Sequence, residues 1–232
     1  LSSSSAASDV YKRQGGTATN GSDYGLITSS VTIAADASTA TVTVDPSPDT
    51  VLEPDESVSL TLEANAAYTV GTLGAVTGTI TNDDVASFSI GDLSITEGDA
   101  GTKTADFTVS LNNAVEGGAS VSYATVAGTA SAGSDYAATS GSLSFSGSAG
   151  ETKTISVSIN GDTTVELDET FFLNLFSPSN GVTLVDSQGL GTILNDDTAS
   201  LPVITLAVNP ASVLENGATN LVYTFSRTGV TT

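Results

Sequence analysis

The string GTATNGSDY at residues 16–24 returns as GTASAGSDY at 128–136, an offset of 128 minus 16, or 112. GTITNDD at 78–84 returns as GTILNDD at 191–197, and PDTVLEPDESVSLTL (48–62) lies over GDTTVELDETFFLNL (161–175), both at an offset of 113. Three markers in one order, drifting by a single residue, are tandem copies of one unit. A period of about 113 suits an independently folding domain and is too long for a solenoid unit. Whatever one copy folds into, its neighbours must fold into as well.

The boundaries follow from the register. One complete copy spans 85–197; residues 15–84 are the latter part of a preceding copy whose first strands are missing. Residues 198–232 begin a third, because SVLENGATNLVYTFSR (212–227) echoes SITEGDAGTKTADFTVSL (94–111). Both ends therefore read as cut within a domain of a longer array. Residues 1–14, LSSSSAASDVYKRQ, differ from all that follows and hold Lys12 and Arg13, two of the five basic residues. They are read as a linker or non-native segment outside the fold. The partial copy 15–84 is expected to fray, since its missing strands would leave core uncovered.

Alternation, not a helical period, runs through the complete copy. FTVSL (107–111) puts Phe107, Val109 and Leu111 on one face, and KTISVSI (153–159) does so with Ile155, Val157 and Ile159; these are half-buried strands. VSYATV (121–126), GSLSFSG (141–147), TFFLNLF (170–176) and GTIL (191–194) add more, separated by Gly, Ser, Asn and Asp turns. The fold class this implies is all-β: tandem antiparallel β-sandwiches of immunoglobulin-like layout. Phe171 and Phe172 cannot both face inward on a regular strand. Tyr24 and Tyr136 read as sandwich-edge residues, and VEGGAS (115–120) as a hairpin turn, having neither the Lys nor the helix of a phosphate loop.

Charge narrows the function. Twenty-six acidic residues stand against five basic ones, a formal net charge of -21, so nucleic acid is not a partner, since binding it rests on Lys and Arg neutralising phosphates. There is no Cys and no His, which excludes disulfides, thiolate or imidazole metal sites and the Ser-His-Asp relay. Only oxygen ligands remain, and these favour hard cations, calcium above all where carboxylates gather. No run of residues is long and apolar enough for a membrane span.

The segments SITEGD, GTASAGSDY, INGDTTVELDETFFLNL and GTILNDD, in that order across 94–197, resemble the Calx-beta family, the repeat of sodium–calcium exchanger regulatory domains, integrin beta-4 and bacterial surface proteins. The resemblance implies a β-sandwich that binds Ca2+ through carboxylates gathered at one pole. Carried over position by position, the candidate ligands are Glu97, Asp135, Asp162, Glu166, Glu169, Asp196 and Asp197. The first copy offers Asp23, Asp49, Glu53, Glu56, Asp83 and Asp84; Glu215 answers to Glu97 in the third. Two departures stand out. The calcium-sensing exchanger domains carry acids where this copy reads Asn160-Gly161-Asp162, and a third terminal acid where it has Asn195, which implies fewer ions or weaker binding.

The residues argue the same way without the family. The acidic clusters sit where strands end, and a sandwich gathers such ends at its poles. Two like charges about 4 Å apart cost about 4 kcal/mol at an effective dielectric of 20, a large share of a domain's stability of about 5–15 kcal/mol. A divalent cation turns that repulsion into attraction. Against this stands the plainer reading, that loop Asp residues cap turns and the acidity only solubilises; Asp168 in particular reads as a non-ligand.

Three functions are weighed. The first is a calcium-binding structural repeat of a larger extracellular or cell-surface protein, stiffening a domain array for adhesion or cell communication, with neighbouring repeats and a cell-surface protein or glycan as partners. The second is a calcium-independent protein- or glycan-binding module with solubilising acidity. An enzyme, with Asp162 and Glu169 as a glycosidase pair, is the weakest, because the acids recur in each copy with no aromatic cleft; the chain is read as no enzyme.

Overall fold

A computed structural model of the chain describes residues 6–229. Residues 1–5 of the expected linker and 230–232 of the third copy lie outside the described residues. The described residues form fifteen strands and no helix, so no helix is long and apolar enough to cross a membrane.

Four strands make the first sheet: β1 (Ser8–Gly16), β2 (Ser30–Ile33), β3 (Glu56–Leu62) and β4 (Val76–Ile80), in the order β2-β1-β3-β4 and antiparallel throughout. This corrects the reading of 1–14 as a linker: Ser8–Gln14 lie within β1, between β2 and β3. Lys12 is buried opposite Leu62, its ammonium held by the Thr28 carbonyl. Strand pairing runs through the main chain, so a segment whose side chains look foreign can still occupy the strand position. Few apolar groups close over this sheet: Ala18, Tyr24 and Val58, with Ile27, Val44 and Ile80 against them.

The central sandwich follows: β5 (Ser87–Ile90), β6 (Leu93–Thr96), β7 (Gly101–Leu111), β8 (Ala119–Ala127), β9 (Ser140–Phe145), β10 (Thr152–Gly161), β11 (Glu169–Phe176), β12 (Thr183–Leu184) and β13 (Gln188–Leu194). One sheet is ordered β10-β7-β5-β12 and the other β6-β13-β11-β8-β9. Offsets of 112 and 113 lay β1, β2, β3 and β4 over β8, β9, β11 and β13. The first unit thus repeats one sheet of the sandwich. Residues 39–48, which answer to β10 at the offset of 113, form no strand there; β10 pairs along its length with β7, and nothing answering to β7 stands beside 39–48 among the described residues.

The expected faces are in place. Phe107, Val109, Leu111, Ile155, Val157 and Ile159 are all in the core, as is Phe171, while its neighbour Phe172 is only partly buried. Tyr136 lies in the core and not at an edge, stacked on Phe171 with ring centroids 4.7 Å apart. The sandwich is not wholly antiparallel: β6 runs parallel to β13, and β12 to β5. The cause is a break at Gly91-Asp92 that sends the first strand from one sheet to the other. Leu190 N–H donates to Asp92 Oδ1 at 2.7 Å, and a Cβ on Gly189 would come within 3.0 Å of the Gly91 carbonyl. β14 (Val203–Asn209) and β15 (Val222–Thr228) form an antiparallel pair, counterparts of β5 and β7.

Candidate cation-binding pole

The ends of β6, β10 and β13 and the start of β11 converge at one pole of the sandwich, because each strand runs its full length before its acidic loop begins. Six of the seven expected carboxylates there fall into two triads. Glu97, Asp196 and Asp197 bring one carboxylate oxygen each within 4.8 Å of one another, and Asp135, Glu166 and Glu169 do the same.

The first triad is built at the β6–β13 junction. Glu97 N–H donates to the Leu194 carbonyl at 3.2 Å, and Gly98 N–H to Asp196 Oδ1 at 3.0 Å. The end of β10 closes over this turn: a Cβ on Gly161 would lie 2.1 Å from the Gly98 carbonyl oxygen, so only glycine permits the approach. Where the sequence reading saw a missing acid at Asn160-Gly161, the fold needs a missing side chain. Glu97 is 5% exposed, and burial raises its pKa, followed by the charges of Asp162, Glu166, Asp197 and Asp196. Asp197 is raised too, by desolvation and then by Asp99, Asp196 and Asp162; its Oδ2 is buried with no hydrogen-bond partner.

The second triad hangs on the GSDY turn. Ser131 N–H donates to Asp135 Oδ2 at 2.6 Å, which aims Asp135 at the start of β11. Glu169 is pushed up to about 7, by burial first, then by its hydrogen bond with Asp135 and the charges of Asp135, Glu166 and Glu97. The two triads therefore share one field.

Asp162 belongs to neither triad. Its Oδ1 accepts from Thr164 N–H at 2.6 Å, and that bond lowers its pKa; it caps a turn while adding its charge beside Glu97. Asp168 accepts from Asn195 N–H at 3.1 Å. The role of Asn195 is one the sequence reading missed. Its Oδ1 accepts from Glu166 N–H at 3.3 Å and its Nδ2 donates to the Asp197 carbonyl at 3.1 Å, tying the two triads together. Asn82 makes the same pair of bonds, with Glu53 N–H and the Asp84 carbonyl, and Asp55 takes Asn82 N–H. Their recurrence at an offset of 113 is the signal that could have found them.

In the first unit Asp23, Asp49, Glu53, Glu56, Asp83 and Asp84 all line one cavity of about 460 Å³. No three of them come within 4.8 Å of one another among the described residues. Burial raises Glu53 and Glu56, helped by Asp49 and Asp23 respectively, while the Thr19 backbone bond lowers Asp23. Among the described residues no turn of this unit answers to the one that carries Glu97 in the central sandwich. Glu215 is exposed in the third unit and belongs to no triad.

Among the described residues no ion pair ties a carboxylate of either triad. The ion pair found among the described residues is Lys153–Glu151 at 3.2 Å, outside both triads, and Lys103, beside the Glu97 turn, gives its ammonium to the Thr96 carbonyl. A buried carboxylate oxygen without a partner, a buried glutamate pushed upward by burial, and an all-oxygen donor set fit a hard divalent cation.

The family model of the Calx-beta domain matches residues 2–84 and 79–198. The sodium/calcium exchanger Calx of Drosophila melanogaster is 41% identical over 91 residues, which are 39% of this chain and 10% of the relative; the chain thus spans about a tenth of that relative's length. Among solved structures, the apo-form Calx CBD1 domain is 30% identical, covering 49% of this chain and all of that one, with a TM-score of 0.43. The calcium binding domain CBD12 of CALX1.1 is 31% identical, covering 51% of this chain and 49% of that one, with a TM-score of 0.44. Of these matches, the sodium/calcium exchanger overturns the extracellular, cell-surface address expected from the sequence. The adhesive role and the surface protein or glycan partner expected with that address have no support in them.

Proposed function

From the premise that this chain belongs to the Calx-beta family, we propose that it is a non-catalytic, calcium-binding repeat module of a larger protein, with one complete site in the repeat 85–197. The observation that carries this is the Glu97 triad, in which a buried glutamate brings a carboxylate oxygen within 4.8 Å of oxygens of Asp196 and Asp197, and Asp197 Oδ2 is buried without a hydrogen-bond partner. Asp135, Glu166 and Glu169 make the second half of the site. Asp162 adds charge at its edge, and Asn195 and Gly161 hold the geometry.

Calcium, when bound, supplies two positive charges and room for six to eight oxygens. The chain's part is to hold six carboxylates in place before the ion arrives, so that folding free energy is spent on repulsion that the ion relieves. The exchanger relative supports reading the ion as a signal that the module answers. The first repeat, with its acids lining one cavity but not drawn into triads, binds more weakly in this reading.

The test is thermal unfolding of the 232-residue protein in chelator and in calcium, with isothermal titration alongside. Calcium at a hundred times its Kd should add about 2.7 kcal/mol. Glu97→Gln should raise the melting temperature in chelator, by removing a buried like charge, and abolish most of the calcium increment. No heat and no shift with millimolar calcium would overturn the proposal.

A further inference from the structure

Every residue of β14 and β15 is exposed. Their register sets Ile204 against Arg227, Leu206 against Phe225 and Val208 against Tyr223, and cross-strand partners share a face. Ile204, Leu206, Val208, Tyr223 and Phe225 therefore make one apolar side, with Phe225 72% and Leu206 56% exposed. Two strands alone are marginal in water, and an apolar pair with open edges recruits further strands. The first unit has the opposite lack. It repeats only one of the two sheets, and Val44, Pro46, Val58, Leu60, Val76 and Ile80 help wall an apolar cleft of about 400 Å³ on it. Residues 39–48 keep the alternation of β10, with Val42 and Val44 where β10 has Ile155 and Val157, and pair with no strand among the described residues.

We propose that β14 and β15 of one copy of this chain dock on the open side of the first sheet of a second copy, β15 pairing antiparallel with 39–48, so that two chains share one sandwich. The central sandwich contains the same joint: β10 pairs with β7, Ile155 opposite Phe107 and Val157 opposite Ala105. The echo of 94–111 in 212–227 lays Phe225 over Phe107 and Tyr223 over Ala105, which sets Phe225 opposite Val42 and Tyr223 opposite Val44. A seat for the ring exists. Phe107 packs edge-on against Phe171 at 5.8 Å and lies against Gly189; the first unit has Val58 and Val76 at those two positions, so bulk moves from one wall to the other and the gap persists. Charge permits the joint as well: 15–84 hold ten acids and no base, while 198–229 hold one acid, Glu215, and one base, Arg227. The occupant is a second copy because the hairpin cannot reach its own first sheet. The chain enters the central sandwich beside the turn after β7, where Asn113 Nδ2 holds the Val85 carbonyl, and leaves at Asp197, beside the Glu97 turn that precedes β7. The 11 residues of β7 separate these ends by about 35 Å, and the six residues from Asp197 to Val203 span at most about 20 Å.

Sedimentation of the 232-residue protein in chelator, over about a hundredfold range of concentration, should show the mass rising from 23.0 kDa towards its multiples, because a head-to-tail contact repeats. Phe225→Asp removes the donor face and Leu60→Asp the acceptor face, and each should weaken self-association at least about tenfold. Mixed in equal amounts, the two variants should recover a dimer that grows no further, since one keeps the acceptor and the other the donor. Either substitution can unsettle its own unit, so the register is also tested at positions facing away from the cleft. Thr43 and Thr224 answer to Ser156 and Asp106, whose side chains meet at 2.6 Å, and the chain has no cysteine. Thr43→Cys and Thr224→Cys, made in separate chains, mixed and oxidised, should form a disulfide-linked heterodimer faster than either forms a homodimer. A mass fixed at 23.0 kDa, association that Phe225→Asp leaves unchanged, or cysteines that link no faster with each other than with themselves overturns the proposal.

Discussion

Glu169 shows what six gathered carboxylates do to a single residue. Its carboxyl is pushed up to about 7, above its ordinary 4.5, so the folded state holds the proton more tightly than the unfolded chain does. The stability this contributes is complete below about pH 4.5 and is lost as pH rises to about 7. Solvent screening at a partly exposed group reduces it to on the order of 1 kcal/mol. In chelator, the melting temperature should therefore fall by a few degrees between pH 5 and 8, and Glu169→Gln should flatten the profile. Scanning calorimetry in a pH series reads this, and a flat wild-type profile would contradict it. Calcium displaces the same proton, so its stabilising increment should grow across the same window. At this scale the acids themselves were legible, since type and repeat register mark Glu97, Asp135, Glu166, Glu169, Asp196 and Asp197. Asn195 was not, because an amide that accepts from one chain segment and donates to another reads in sequence as merely an acid that is absent.

Strands deliver those residues, and the delivery is sensitive at the end of β10. A methyl on Gly161 would meet backbone atoms at every contact: the Gly98 carbonyl oxygen at 2.1 Å, its carbon at 2.9 Å and the Glu97 carbonyl oxygen at 3.0 Å. Backbone cannot rotate aside as a side chain can, so Gly161→Ala must push β10 away from the Glu97 turn. Overpacking of this kind costs about 1–3 kcal/mol, which lowers the melting temperature by several degrees, and it should also shrink the calcium increment by spreading the first triad. Gly74→Ala, where a Cβ meets nothing within 4 Å, serves as the control and should change little. An equal effect of the two substitutions would show that the close approach is not what matters. Alternation identified β7 and β10 because β7 from Ala105 onward and β10 from Ile155 to Ile159 each present one buried face and one more exposed face. It did not identify the break between β5 and β6 or the two parallel pairs, since runs of two to four residues carry no record of which sheet they join. β1 was missed for a related reason: Lys12 and Arg13 look foreign to a strand, while the pairing depends on main-chain groups they do not alter.

At the scale of the whole molecule, a net charge of -21 raises the question of whether calcium is held by a site or only drawn to a polyanion. The two differ in how they respond to a monovalent salt. Diffuse repulsion between exposed charges is screened over roughly 10 Å at 0.1 M and about 3 Å at 1 M, so sodium chloride alone should relieve most of it. Repulsion inside a triad whose oxygens lie within 4.8 Å, with Glu97 buried, is shorter in range than most of that screening. In chelator, raising sodium chloride from 0.05 to 0.5 M should lift the melting temperature by a few degrees. Millimolar calcium added in 0.5 M salt should still give a further shift, reduced but not abolished, and magnesium should give less, since it gives up its water reluctantly and demands tighter octahedral geometry. The repeat carries the same logic along the chain: Glu97→Gln should remove the calcium shift that survives in high salt while leaving the salt-induced shift nearly intact, because it takes one charge from 26 acids but one ligand from a triad. If high salt instead reproduces the whole calcium effect, and Glu97→Gln leaves it unchanged, the acidity acts as a diffuse charge and the pole holds no ion.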